Sequence, residues 1–375
     1  MKLTIKKDLL LDALNKVSKA ISTKNLIPVL AGIKFELKKK KLTLTASDND
    51  ITIQTSISCN SDDDFIVESE GSIIIQGKYV LDIVRKLPDK YINIEVIDEL
   101  KILIYTENSE FNLNGISESE YPNIGLEESK KKVNIKAGVF KSIVNQTAFA
   151  SSNEESKPVL TGINFNIVGD ILECNSTDSY RLARKVVQLD GISDENYNIV
   201  IPSHNILEFA KILGDDDEDV EIHIFNINIL FKSGNLKFES RLINGPYPNT
   251  SNLLPDDSFL IISTKLSDFY DVIDRVSILT SDKEKNIVTL ETNGNMLVLR
   301  SSSAEIGRVE EKMPITKNNN EEIKISFSAK YMMEALKSFS TETVDIHFVG
   351  EIKPILIKST EDETLTQLVL PIRTY

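Results

Sequence analysis

The sequence predicts an α+β protein built from three copies of one unit, and three observations predict it. Ile27-Pro28-Val29-Leu30-Ala31-Gly32-Ile33 returns 130 positions later as Lys157-Pro158-Val159-Leu160-Thr161-Gly162-Ile163, and Ala46-Ser47-Asp48 returns at the same offset as Ser176-Thr177-Asp178. Tyr121-Pro122-Asn123 returns after 126 positions as Tyr247-Pro248-Asn249. Lys78, His204 and Lys330 are further steps of 126, each opening a helix-like stretch. Those stretches align without a gap: Asp82, Glu208 and Glu334 coincide, then Arg85, Lys211 and Lys337, then Leu87, Leu213 and Phe339. An acid followed by a base three positions on suits an exposed helix face. Three units of that length account for nearly all of the 375 residues.

Each unit has the same element order. Leu3-Thr4-Ile5 predicts a short strand, and Leu10, Leu14, Val17 and Ile21 predict an amphipathic helix. Alternating strands follow at 32–37, 42–45, 51–57 and 65–69. A second helix begins near Lys78, and strands at 91–96, 101–105 and 110–114 close the unit. The second unit places its helices near 138–150 and 204–213, and the third near 266–277 and 330–339. Two helices packed on antiparallel sheet, repeated three times, is the expected architecture. The polar run at 127–132 and the segment around Pro255 divide the chain into 1–127, 128–255 and 256–375.

Acidic residues number 57 and basic residues 43, a formal charge of −14, which excludes a protein whose whole surface grips nucleic acid. The helical stretches nevertheless carry +6, leaving −20 on the rest. An acidic protein attracts phosphate if its positive charge gathers on one surface. The sequence alone does not place the helices on a shared surface, and an acidic repeat scaffold that binds only proteins fits the same numbers. No apolar run reaches a membrane-span length, and the N-terminus has no signal-peptide pattern, so a cytoplasmic protein without membrane partners is expected. Cys59 and Cys174 cannot by themselves form a disulfide framework or a four-ligand zinc site.

No catalytic residue, cofactor or metal is expected. Of the three histidines, His223 and His347 sit in alternating strand patterns as partly exposed residues, with no metal-ligand spacing joining them. No Gly-rich phosphate loop is present. The acidic run 215–219 lacks the central Gly and final Glu of a calcium loop and reads as a solvated loop after a helix. Asp48 and Asp178 read as one structural turn residue used twice.

Pro158-Val159-Leu160-Thr161-Gly162-Ile163, Thr177-Asp178-Ser179-Tyr180-Arg181-Leu182-Ala183 and the final Leu370-Pro371-Ile372-Arg373 resemble the bacterial DNA polymerase III β subunit family, the replicative sliding clamps. The resemblance covers the whole chain. It implies the DNA clamp fold and a ring-forming head-to-tail dimer whose helices line a hole around duplex DNA. It also implies a non-enzymatic processivity factor that docks the polymerase α subunit, the clamp-loader δ subunit, other polymerases and repair proteins. ATP belongs to the loader.

The resemblance places a pocket for a partner peptide with Gln, Leu and Phe anchors. Its matching positions are Leu160, Thr177, Ser179, Tyr180, Arg181, Leu182, Pro248, Asn252, Leu253, Leu368, Leu370 and Pro371. Ser179-Tyr180 replaces the family's common Gly-His, and Asn252 stands where Arg is frequent. For the dimer it implicates Phe111 and Leu113 against Ile278 and Leu279 of the neighbour. Lys24 matches a basic residue of the family. Arg85, Lys86, Lys141, Lys211, Arg275, Lys330 and Lys337 are expected to face DNA from helix position and charge.

Overall fold

The computed structural model describes residues 1–21, 27–59, 64–193, 195–255, 257–280 and 286–373. The chain begins with β1 (Lys2–Lys6), α1 (Lys7–Val17), β2 (Gly32–Lys38), β3 (Lys41–Ser47), β4 (Ile51–Ser58), β5 (Phe65–Ser69) and β6 (Gly71–Gln76). It continues with α2 (Gly77–Lys86), β7 (Tyr91–Asp98), β8 (Lys101–Tyr105), β9 (Glu110–Asn114), β10 (Val133–Lys136) and α3 (Ala137–Thr147). Then come β11 (Gly162–Val168), β12 (Ile171–Thr177), β13 (Arg181–Gln188), β14 (Tyr197–Pro202), α4 (Ser203–Ile212), β15 (Asp219–Ile224), β16 (Asn228–Ser233) and β17 (Leu236–Arg241). The last third holds β18 (Leu260–Lys265), α5 (Leu266–Ser277), β19 (Ile287–Asn293), β20 (Met296–Ser303), β21 (Gly307–Pro314) and β22 (Thr316–Lys317). It ends with β23 (Lys324–Ser328), α6 (Ala329–Lys337), β24 (Thr343–Phe348), β25 (Ile355–Ser359) and β26 (Asp362–Val369).

Helix α1 has Asp8 in its first turn and Lys16 in its last, each at the favourable end of the helix dipole. Leu10, Leu14 and Val17 are fully buried. Ile21, expected on the same helix, lies beyond it. A short 3₁₀ segment, Ser18–Ala20, tightens the chain and buries Ala20 instead. At the start of α2 a Cβ on Gly77 would meet the end of the Ile21 side chain at 2.2 Å, so a larger residue there requires that side chain to move. Ser328 caps α6 by accepting from the Tyr331 amide.

The contacts define two compact units: Met1–Val139 with Glu208–Leu242, and Phe140–Leu207 with Ile243–Tyr375. In the first, a five-stranded antiparallel sheet runs β5-β1-β7-β8-β9. An eight-stranded sheet runs β10-β15-β16-β17-β4-β3-β2-β6. Pairing of β17 with β4 therefore makes one sheet from strands of the first and second sequence repeats. Phe209, Phe231 and Phe238 form an aromatic cluster under it, with two centroid separations of 4.8 and 5.0 Å.

In the second unit a nine-stranded sheet runs β14-β11-β12-β13-β26-β25-β24-β18-β22, and a four-stranded sheet runs β21-β20-β19-β23. Here β13 pairs with β26, again joining two repeats. Phe269, Val272, Ile273 and Val276 of α5 and Met332, Ala335 and Leu336 of α6 close a core beneath these strands. The second repeat thus gives β11–β14 to one unit and β10 with β15–β17 to the other.

Candidate functional site

Within the second unit, a tight turn between β12 and β13 is built from Thr177, Asp178, Ser179 and Tyr180. Asp178 Oδ1 accepts from the Tyr180 and Arg181 amides at 2.9 and 3.1 Å. The Thr177 hydroxyl donates to the Arg181 carbonyl at 2.5 Å and accepts from the Ser179 amide. Ser179 sits at φ 79°, in the left-handed region. Asp178 is therefore the turn residue the repeat predicts. Beside the turn, Arg181 and Leu182 of β13 pair with Val369 and Leu368 of β26, and the Leu370 amide donates to the Tyr180 carbonyl at 2.9 Å. Leu182, Leu356 and Leu368 form a small buried cluster, with Leu254 and Leu370 packed against it.

Arg181 is 9% exposed and fully engaged. Its Nε donates to Asp178 Oδ2 at 2.9 Å, one Nη to Glu334 of α6, and the other Nη to the Phe149 carbonyl at 2.6 Å. The guanidinium lies over the rings of Phe149 and Tyr331, 5.3 and 4.6 Å from their centroids. Tyr180, 61% exposed, stacks on Tyr331 at 6.4 Å. Burial first, then Asp178, pushes the Tyr331 hydroxyl pKa up. Beyond the stack lies a cavity of about 590 Å³ lined by Tyr180, Tyr331, Lys330 and the Leu370–Arg373 tail. The Ile372 amide, donating to the Ser326 carbonyl at 2.7 Å, holds the tail along that wall.

Thr177, Ser179, Tyr180, Arg181, Leu182, Leu368 and Leu370 are thus brought together, and Pro371 lines the same cavity. Tyr247, next to exposed Pro248, rests against the Thr177 backbone, and burial pushes its hydroxyl pKa up. Leu160 is buried in its own 3₁₀ turn. Asn252 and Leu253 stand exposed on the Ser251–Leu253 turn, whose next residue, Leu254, reaches the leucine cluster. Tyr331, Ile372 and Arg373 line the cavity but are missing from the pocket set read from sequence. Ile372 and Arg373 were legible as part of the tail run; Tyr331 had no local signal. Lys330, expected to face DNA, lines the cavity as well.

The other helical cations are mostly engaged. Arg85 donates to Asn15 at 3.3 Å, Lys211 pairs with Glu208 at 2.6 Å, and Lys337 lies over the Tyr270 ring. Arg275 makes a two-point contact with Glu311 of β21, holding that carboxyl below the usual range. Lys86 is exposed at the end of α2, and Lys141 lies half-buried on α3. Lys24 lies outside the described residues.

Strand β9 is the outer strand of its sheet. Phe111 and Leu113 stand opposite Ile104 and Ile102, so the core face runs out to an uncovered edge where Phe111 is 37% exposed. Strand β21 is likewise an outer strand of the four-stranded sheet. Ile278, just past α5, is 73% exposed, and Leu279 beside it is half-buried.

His223 is buried, 1% exposed, rather than the partly exposed strand residue expected, because its Nδ1 docks on the Ser129 backbone at 3.1 Å. Its metal-competent neighbours Glu128 and Glu221 are taken by ammonium groups: Lys232 and Lys237 hold Glu128, each at 2.8 Å, and Lys132 holds Glu221 at 2.6 Å. Among the described residues no helix is long and apolar enough to cross a membrane.

The fold and this turn-and-tail site define the class: a three-repeat α+β clamp. Family models for the N-terminal, central and C-terminal domains of the DNA polymerase III beta subunit match residues 1–125, 134–249 and 251–373. The Staphylococcus epidermidis beta sliding clamp is 39% identical, and a Staphylococcus aureus one 38%, each over the full length of both chains. The Bacillus subtilis DNA polymerase sliding clamp superposes with a TM-score of 0.96 at 39% identity, and the Streptococcus pyogenes beta subunit with 0.95 at 30%, all fully covered. The chain belongs to the DNA polymerase III beta subunit family, and its function is that of a sliding clamp, a processivity factor for DNA polymerase III.

Proposed function

We propose that two copies join head to tail into a ring around duplex DNA, with the cavity beside Tyr180 docking the polymerase. The clamp-loader δ subunit, other polymerases and repair proteins use the same cavity. The protein is a non-catalytic, cytoplasmic tether divided into domains 1–127, 128–255 and 256–375. The observation that carries docking is the turn held by Asp178, against which the Leu368–Pro371 tail lies in register. An apolar groove with a few polar groups at its rim suits a short peptide with apolar anchors.

The dimer reading is supported by two outer strands, β9 and β21, with apolar Phe111 and Ile278 exposed and Leu113 half-buried near them. Pairing such edges between copies satisfies backbone groups and covers the side chains. Helical cations hold DNA through phosphates without reading sequence, which permits sliding. Lys86 is the strongest candidate. Arg275 and Lys211 are weaker, because a phosphate must compete with Glu311 and Glu208.

Retention on circular DNA after loading, with release on linearisation, tests the ring; equal retention on both forms rejects it. Replacing Ile278 and Leu279 with aspartate is expected to convert a particle of twice 42.1 kDa into monomers in sedimentation. A persistent dimer rejects that interface.

A further inference from the structure

We propose that the tip of the β2–β3 hairpin, Lys38 to Lys41, is a contact for the phosphate backbone of nucleic acid, separate from the helical cations. This inference depends neither on the ring nor on peptide docking.

In every repeat the two strands after the first helix meet in a two-residue hairpin: β2–β3, β11–β12 and β19–β20. In the second and third repeats glycine takes the first turn position in the left-handed region, Gly169 at φ 61° and Gly294 at φ 57°. The residues flanking those turns are uncharged, Val168 opposite Ile171 and Asn293 opposite Met296. The β2–β3 turn departs from this pattern throughout. Lys39 and Lys40 both stand in the left-handed region, at φ 50° and 59°, where Asn-Gly is the favoured pair. Lys38 stands directly opposite Lys41, and like charges at opposed strand positions repel. All four lysines are exposed.

The turn is held by other groups. The Lys39 amide donates to Glu70 at 2.8 Å, and the Lys40 carbonyl accepts from the Cys59 amide at 2.9 Å. Lys38 pairs with Glu36, while Lys39, Lys40 and Lys41 make no ion pair among the described residues. Asp62 and Asp63 lie outside those residues. Local preference is given up at three places in one turn, which marks a surface kept for function rather than for folding.

The chemistry of the tip points to phosphate. Leu37 and Leu42, the apolar residues beside it, are fully buried, so the tip offers charge without apolar contact. A protein partner needs buried anchors as well as charge. Ammonium groups lack the planar fork that matches a carboxylate, and a cluster of them suits a backbone recognised by charge alone.

The test uses the full-length protein without a clamp loader and a labelled duplex blocked at both ends with streptavidin, which cannot thread a closed ring. Binding is read by fluorescence anisotropy across a salt series. Lys39→Asn with Lys40→Gly gives the turn its favoured pair and removes two charges. This double variant is expected to bind the duplex about tenfold more weakly in low salt, with the slope of log K against log salt shallower by about two. Lys39→Arg with Lys40→Arg is expected to keep both affinity and slope. The first double variant is also expected to melt no lower than the unmodified protein.

Unchanged affinity and slope in the first double variant overturn the inference. A lower melting temperature in that variant shows that the lysines build the turn, and the inference falls. If the duplex binds only after Asp62→Asn with Asp63→Asn, the tip is neutralised within the chain and is no contact for DNA. If a polyglutamate peptide of equal charge displaces the duplex at equal concentration, the tip serves acidic protein segments instead.

Discussion

The turn at Ser47–Thr52 in the first unit and the turn at Thr177–Leu182 in the second share one backbone design and differ in chemistry. Asp48 Oδ1 accepts from the Asp50 and Ile51 amides at 3.0 and 2.9 Å, as Asp178 does from Tyr180 and Arg181. Asn49 and Ser179 share a φ of 79°. Ser47 donates to the Ile51 carbonyl at 3.1 Å, as Thr177 does to that of Arg181. The strand that follows is placed identically: the Arg241 amide donates to Asp50, and the Leu370 amide to Tyr180, both at 2.9 Å.

Side chains then separate the two. Where the second unit has Tyr180, Arg181 and Leu370, the first has Asp50, Ile51 and Arg241. Buried Ile51 has no charge to satisfy, whereas Arg181 draws in Asp178, Glu334 and the Phe149 carbonyl and orders an aromatic stack. The Asx turn fixes the backbone, and the side chains at these three positions set the chemistry that stands beside it. In the proposed docking mode Arg181 is a positioning residue: its donors are spent within the protein, so a docked peptide would meet the Tyr180–Tyr331 stack that it supports.

The largest difference between the turns is expected from truncating the residue after the outermost one. Arg181→Ala leaves Asp178 largely buried without its partner and is expected to cost about 3 kcal/mol in urea unfolding while abolishing peptide binding. Ile51→Ala is expected to cost about 2 kcal/mol and leave peptide binding intact, because it only removes buried apolar volume. Loss of peptide binding in both variants breaks the comparison.

A smaller effect is expected from grafting. Tyr180→Asp places the first unit's outer residue on the second unit's turn, which keeps the backbone and removes the stacked ring. The fold should persist while peptide affinity falls about tenfold, read by anisotropy. Unchanged affinity removes Tyr180 from the site. The smallest effect concerns the backbone alone. Serine tolerates the left-handed region less well than asparagine, so Ser179→Gly is expected to stabilise by about 0.5 kcal/mol and Asn49→Gly by less. The reverse order in thermal unfolding shows that the side chains, and not the shared φ, set the strain.

Much of this was legible in the sequence because it is local. Helices α4, α5 and α6 begin and end within two residues of their expected spans, α2 begins next to Lys78 as expected, and Asp48 with Asp178 announces the turn before any contact is known. Two features were not legible. Tyr331 belongs to the cavity because α6 and β13 meet through Arg181 and Glu334, which are 153 positions apart. The second repeat reads as one unit, yet β17 pairs with β4 and β13 with β26.

The sequence by itself determined the threefold repeat, the element order, the two Asx turns and the family resemblance. These rest on periodicity, on short-range hydrogen bonding and on residue identity, all of which the chain carries position by position. Only the tertiary structure decided which strands share a sheet and which cations are already paired. It also placed Lys330 and Arg373 beside one cavity. Strand partners and ion pairs are long-range choices among chemically similar candidates, and packing makes the selection.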